Sequence, residues 1–175
     1  MEKKQKVDTI IALISILIGV ILIILPLIGI TQLTKISICV FGAYTIISCI
    51  QFILTMKSKD YEGLYSAISS FMIVIAHYFW NPSESPKVLA LFLMAWILLM
   101  SLTKLKKADY YHDKNDRMWK YSLANLGLFI LTGILASISL AYGPETQILV
   151  LGFFMIINGI LELFEPITKT LIAHS

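Results

Sequence analysis

The chain has 175 residues, of which 58% are hydrophobic and only 14% are charged, and its formal net charge is +3. Soluble domains carry about a quarter charged residues, so this composition excludes an ordinary soluble globular domain. We expect a protein embedded in a lipid bilayer, with no nucleic-acid partner.

Six runs without Asp, Glu, Lys or Arg cover most of the chain. A helix needs about 20 apolar residues to cross a hydrocarbon core of about 30 Å, and only helices or closed barrels satisfy their backbone groups in lipid. The runs lack the alternation of apolar and polar residues that barrel strands show. They therefore predict an all-α bundle of six transmembrane helices in one integral membrane domain, residues 1–175. The runs are residues 9–34, 36–56, 63–83, 88–103, 121–144 and 146–161.

The basic residues lie mainly on one side of the predicted bundle. Twelve of the 14 Lys and Arg residues fall in the N-terminal tail, the second and fourth connections and the C-terminal tail, whereas only Lys35 and Lys87 fall on the other side. Cytoplasmic segments of membrane proteins carry an excess of Lys and Arg. This distribution predicts that both termini and the long fourth connection, residues 104–120, lie in the cytoplasm.

Each predicted outer connection is short and contains proline. Pro26 lies in the first connection, Pro82 and Pro86 lie in the second, and Pro144 lies in the third. Proline ends a helix or occupies its first turn, where the missing N–H group removes no hydrogen bond. We therefore expect helices to end near Pro26 and to begin near Pro86 and Pro144.

The helices that return to the cytoplasm share a register. Residues 42–50 align with residues 152–160 and, less well, with residues 94–102. Hairpins and interfacial prolines also occur in polytopic proteins that contain no repeat. The alignment nevertheless favours three tandem αα-hairpins related by an axis along the membrane normal. Their approximate bounds are 8–57, 62–105 and 118–169.

Small residues recur in this alignment and predict close helix packing. Membrane helices associate through packing rather than through the hydrophobic effect, so small residues mark their contacts. Cys49, Ser101 and Gly159 share one aligned position, and Gly42 and Gly152 lie seven residues before Cys49 and Gly159. The packing candidates, including one in the first helix, are Gly19, Gly42, Cys49, Ser101, Gly152 and Gly159.

Three features together resemble a known family. The chain has six predicted spans in three hairpins, Gly19 seven residues before Pro26, and a cationic connection before a fifth helix that begins near Trp119. In these features it resembles the HdeD family of small bacterial inner-membrane proteins, although Met94 stands where the pattern of the second hairpin has glycine. The resemblance implies a bacterial cytoplasmic membrane protein that acts in acid or stress tolerance. It supplies no catalytic residues.

Ionisable residues at membrane depth are functional candidates by default. Glu162 lies 16 residues after Thr146, about 24 Å along a helix, which places it near the inner headgroup boundary. Glu162 and Glu165 share a helix face and could form a cytoplasmic proton or cation site at the mouth of the bundle. The alternative is an interfacial helix end with local ion pairs.

His77 lies five residues before Pro82, near the predicted outer surface. An imidazole titrates near neutral pH and could register external acid. The alternative is a residue of the interfacial aromatic belt, since Tyr78, Phe79 and Trp80 follow it directly.

Two asparagines lie inside predicted spans. Asn125 and Asn158 are candidates for interhelical hydrogen bonds, which are worth ~0.6–1.7 kcal/mol in membrane proteins. They could instead line a polar path through the bundle.

The fourth connection contains His112, Asp113 and Asp116, which could be imagined around a metal ion. Interspersed lysines and the lack of a further carboxylate or cysteine cluster argue against a metal site. We expect the basic residues of 104–120 to contact anionic lipid headgroups, and we expect no metal, cofactor or catalytic residue.

The sequence thus predicts a non-enzymatic membrane protein. The resemblance to the HdeD family implies that this protein has a role in stress tolerance. The alternative is a small transporter or channel, which could be a homo-oligomer, with Glu162, Asn125 or Asn158 lining the route; a membrane enzyme that uses residues 112–116 is a third reading. A route requires a polar cavity that reaches the middle of the membrane. A structural or stress protein requires a packed apolar interior.

Overall fold

The computed structural model describes residues 3–56, 61–80, 86–139 and 143–174, and these residues contain six helices and no strand. The expectation of an all-α protein is confirmed. The helices are α1 (Lys3–Leu27), α2 (Leu33–Thr55), α3 (Glu62–Phe79), α4 (Pro86–Asp113), α5 (Met118–Ser139) and α6 (Pro144–His174).

Proline and glycine set several helix ends. Both α4 and α6 begin at the expected prolines, Pro86 and Pro144, and α1 ends one residue after Pro26. Gly29 follows with a φ of 79°, a left-handed conformation that glycine adopts without strain. The amide of Gly29 donates to the carbonyl of Pro26, and the amide of Ile30 donates to that of Leu25. This pair of bonds is a Schellman motif, which satisfies the last carbonyls of α1.

Four of the six helices are long and apolar enough to cross a membrane. They contain the spans Gln5–Leu27, Leu33–Thr55, Met118–Ile138 and Pro144–Thr168. The remaining two, α3 and α4, do not meet the same criterion of length and composition within the described residues. In α3 three serines and His77 dilute an 18-residue helix.

The outer surface of the bundle is apolar on every helix. Soluble proteins rarely expose such extended apolar surface, and lipid is the solvent in which it is stable. One large side chain from each helix illustrates the pattern. More than half of the surface is exposed for Leu17, Ile53, Phe71, Leu98, Leu135 and Phe164.

The six helices form a ring in chain order. The most extensive packing joins α1 to α6, α2 to α3 and α4 to α5, whereas α1 with α2, α3 with α4 and α5 with α6 pack less extensively. The two helices of each predicted hairpin are therefore not the closest neighbours. The hairpin repeat, with its bounds near 8–57, 62–105 and 118–169, stays a prediction.

Glycines lie where the most extensively packed helices approach each other. A Cβ atom on Gly19 would be 2.6 Å from the carbonyl oxygen of Gly152, and one on Gly159 would be 2.8 Å from that of Ala12. These contacts bring the backbones of α1 and α6 together. Two further glycines lie at close helix contacts: Gly63 meets the backbone of α2, and Gly133 meets the side chain of Ile97 of α4.

The packing role expected for Gly42 and Cys49 is wrong. No atom lies within 4 Å of a Cβ built on Gly42, and Cys49 is exposed. The interior face of α2 carries Tyr44 and Ser48, so residues 42 and 49 fall on the outer face. Ser101 is half-buried, and its hydroxyl donates to the carbonyl of Ile97 in its own helix at 2.7 Å.

We predict that Gly159→Leu lowers the stability of the detergent-solubilised protein, because the new side chain has to displace the backbone of α1. Overpacking of this kind costs ~1–3 kcal/mol. Gly42→Leu is the matched control, since its side chain would face open space, and it should leave the thermal unfolding midpoint unchanged. Equal midpoints for the two variants would show that the contact at Gly159 does not hold the helices together.

Candidate functional site

The α4 helix continues into the segment that the sequence predicts as the fourth connection. It extends to Asp113, ten residues beyond the end of its charge-free run at Thr103. Lys104, Lys107 and Tyr111 lie three and four residues apart, so they share one helical face. This face is turned into the bundle, and Lys104 and Tyr111 are buried. Both ammonium groups are directed toward carboxylates of other helices, and the expected contact of residues 104–120 with lipid headgroups stays a prediction.

These side chains form a charged network at one end of the bundle. The Nζ atom of Lys107 lies 2.8 Å from Oε2 of Glu62 on α3 and 2.7 Å from Oε2 of Glu165 on α6. The hydroxyl of Tyr111 donates to Oε1 of Glu165 at 2.5 Å. The Nζ atom of Lys104 lies 3.5 Å from Oε1 of Glu162. We call these residues the inner ion network: Glu62, Lys104, Lys107, Tyr111, Glu162 and Glu165.

The network favours the charged form of Lys107. Burial lowers the pKa of Lys107, but the charges of Glu62 and Glu165 raise it more, and the net pKa lies well above the ordinary lysine value. Burial and the neighbouring carboxylate of Glu165 also raise the pKa of Tyr111. The phenol of Tyr111 therefore stays protonated and donates a hydrogen bond to Glu165.

A cavity of about 40 Å³ lies beside the network. Its polar lining gives it room and partners for water. Every helix contributes to the lining, so the start of α1, α3 and α5 and the end of α2, α4 and α6 meet at one end of the bundle. One lining residue from each helix, in chain order, is Asp8, Gln51, Ser66, Lys104, Asn125 and Glu162.

The two candidate asparagines lie next to this cavity. Nδ2 of Asn125 donates across the helix interface to the carbonyl of Leu161 on α6 at 2.7 Å. Nδ2 of Asn158 donates to Oε1 of Glu162, one turn further along its own helix, at 3.2 Å. The Oδ1 atoms of both residues are buried and have no hydrogen-bond partner among the described residues. Of the two, Asn125 lines the cavity, where its Oδ1 atom can accept a hydrogen bond from water.

Aromatic side chains fill the interior beyond the cavity. Trp96 lies at the middle of the charge-free run 88–103, is fully buried, and donates from Nε1 to Oγ of Ser70 on α3 at 3.0 Å. Four rings from α2, α5 and α6 surround it with centroid separations of 5.6–6.1 Å. We call this group the aromatic cluster: Phe41, Tyr44, Trp96, Phe129 and Phe154.

His77 is inside the bundle and not part of a surface belt. Only 2% of it is exposed, whereas Tyr78, Phe79 and Trp80 are each more than 60% exposed. Its Nδ1 atom is 2.9 Å from the carbonyl oxygen of Ile73, and its ring packs against Phe92 at a centroid distance of 4.9 Å. The belt interpretation is therefore wrong for His77. An acid-sensing role would require protons to reach this buried ring.

The segment with His112, Asp113 and Asp116 is exposed and uses its side chains locally. Oδ1 of Asp116 accepts a hydrogen bond from the amide of Met118 at 3.0 Å, which caps α5. The ring of His112 packs against that of Trp119 at 5.2 Å. Within the part of the chain that the structure describes, no group of three potential metal ligands occurs.

Comparison with known proteins gives no match, whether with protein-family models, with curated proteins or with solved structures. The resemblance to the HdeD family therefore stays a prediction from the sequence. The function has to be argued from the geometry of the bundle itself.

We predict that Lys107→Met destabilises the protein strongly, because Glu62 and Glu165 lose the ammonium group that they share. Removing one partner of a buried ion pair costs ~3–5 kcal/mol. Lys106→Met is the matched control, since Lys106 is exposed on the neighbouring position of the same helix, and surface changes are worth about 0.5 kcal/mol or less. Thermal unfolding in detergent measures both. A variant at Lys107 that is as stable as the one at Lys106 would contradict a structural role for the network.

The pH dependence of this loss has a definite sign. In the native chain the folded pKa of Lys107 is raised, so its contribution is complete below the unfolded value of about 10.4 and is lost only as the pH rises through the folded value. The stability difference between native protein and variant should therefore be constant at neutral pH and should shrink only as the pH rises above about 10.4.

Proposed function

We propose that the chain is a six-span protein of the bacterial cytoplasmic membrane, with three hairpin repeats and both termini in the cytoplasm. The apolar outer surface and the four span-capable helices support this placement. The 18 residues of α3 extend about 27 Å, close to the hydrocarbon thickness of about 30 Å. The 28 residues of α4 extend about 42 Å, enough to cross the core and to continue into the cytoplasm.

Within this membrane placement the protein acts without catalysis, in tolerance of acid or other stress, as its resemblance to the HdeD family implies. The observation that carries the proposal is the aromatic cluster. A packed interior is what a structural or stress protein requires, and the five rings fill the bundle at the level where a transport route would have to pass. Both the ion network and the hydrated cavity lie to one side of this level.

A small transporter or channel is the second candidate, and the polar cavity favours it. Glu162 and Asn125 line the cavity, and Asn158 hydrogen-bonds to Glu162. A solute that entered from the cytoplasm would meet these three residues first. Transport would then require the rings around Trp96 to separate, because they are fully packed against one another.

The orientation predicts the labelling of single cysteines in a variant that lacks Cys39 and Cys49. In intact cells, Gly143→Cys should react with a membrane-impermeant thiol reagent, because it precedes α6 at the proposed outer end. Lys114→Cys should react only after the cells are permeabilised, because it follows α4 at the proposed cytoplasmic end. Labelling of Lys114→Cys in intact cells, with Gly143→Cys protected, would reverse the orientation.

We predict that a strain without this protein survives a shift to acid or another stress less well than its parent, and that the native gene restores survival. Survival curves across pH and solute stresses measure the effect. Full survival of the deletion strain under all conditions would contradict the stress role. Solute flux is measured in vesicles that contain the purified protein and in empty vesicles. A higher flux with the protein would support the transporter.

A further inference from the structure

The fourth connection exposes fewer basic residues at the surface of the bundle than its sequence suggests. Six basic residues lie between positions 104 and 120, but Lys104 and Lys107 are turned into the inner ion network. Four basic residues remain exposed in this segment, together with three acidic residues, which leaves a net charge of only +1 with histidine neutral. The exposed acids are Asp109, Asp113 and Asp116, and the exposed bases are Lys106, Lys114, Arg117 and Lys120.

A groove of about 390 Å³ runs along this surface between α4 and α5. Its polar rim carries Lys106, Asp109 and His112 of α4, and its apolar wall carries Leu105 of α4 and Leu123 of α5. Both leucines are nearly half exposed. From position 105 to position 112 the groove follows α4 for about 10 Å.

The groups follow one another along the groove in the order found in a phospholipid. The leucines lie at the end toward the membrane interior, beside the charge-free runs of α4 and α5. Rings close the opposite end, where His112 packs edge-on against Trp119 with an interplanar angle of 87°. Tryptophan is enriched at this level of membrane proteins because its ring sits among headgroups.

Both signs of charge are available at the rim. The Nζ atom of Lys106 lies 4.5 Å from the centroid of the Tyr65 ring on α3, and Lys106 also lines the groove. Asp109 is one helical turn further on, so its side chain leaves the helix about 5–6 Å from that of Lys106. Among the residues that the structure describes, these two do not form an ion pair with each other.

We propose that this groove binds a zwitterionic aminophospholipid of the cytoplasmic leaflet, such as phosphatidylethanolamine, with its phosphate at Lys106 and its ammonium group at Asp109. The acyl chain then covers Leu105 and Leu123. The carboxylate of Asp109 disfavours a purely anionic headgroup, and a choline headgroup cannot donate N–H hydrogen bonds to it. This inference rests on the membrane placement proposed above.

Competitive lipid binding tests the groove. The full-length protein in detergent is mixed with equal amounts of phosphatidylethanolamine, phosphatidylglycerol and phosphatidylcholine, and bound lipid is counted by native mass spectrometry. We expect phosphatidylethanolamine to be preferred about two- to fivefold, the effect of one exposed ion pair. Asp109→Asn should abolish this preference, and Lys106→Gln should weaken binding of all three lipids.

Two variants outside the groove serve as controls. Asp113→Asn and Lys114→Gln change exposed charges of the same segment that do not line the groove, so they should keep the native preference. Equal binding of the three lipids would show that lipid only surrounds the protein without a specific site. A preference for phosphatidylglycerol would show that net basic charge governs the contact. Either result overturns the groove proposal but leaves the membrane placement intact. Recovery of the protein in soluble form without detergent would overturn the membrane placement itself.

Discussion

The burial of Trp96 at the centre of the bundle constrains the positions of the other helices. An indole N–H group that is removed from water needs a hydrogen-bond acceptor, and Ser70 supplies it. Ser70 is itself fully buried, so α3 has to approach α4 at this level. Rings from α2, α5 and α6 then surround the indole. One side chain thus connects five of the six helices.

The ion pairs between helices lie at one end of the bundle among the described residues. At the inner end, the extension of α4 places two ammonium groups against three carboxylates from α3 and α6. Such a network stabilises a structure only when all its members are paired, because each buried charge without a partner has a large desolvation cost. The arrangement therefore specifies how α3, α4 and α6 meet more strongly than it adds to overall stability. Water in the adjoining cavity can satisfy the amide oxygen of Asn125.

The sequence predicts well where the helices lie in the chain, but it predicts poorly which face of each helix is turned into the bundle. Charge-free runs and prolines locate the helices, since hydrocarbon and the geometry of proline act on local sequence; the ends at Pro86 and Pro144 follow from this. Side-chain direction depends on neighbouring helices instead. Lys104 and Lys107 look like headgroup contacts because their acidic partners are distant in the chain. Gly42 aligns with Gly152, but only Gly152 faces a neighbour. Gly63 carries no signal that distinguishes it from other glycines without knowledge of the opposing backbone.

The contact between Gly19 and Gly152 has a consequence for how the protein is made. These residues are 133 positions apart in the chain, so at a synthesis rate of about 5–20 residues per second the ribosome needs roughly 7–27 s to proceed from one to the other. Throughout this time α1 is in the membrane without its most extensively packed neighbour, and lipid covers its glycine surface. The ring closes only after α6 has left the translocon. A chain truncated before α6 would therefore leave the glycine face of α1 without its packing partner.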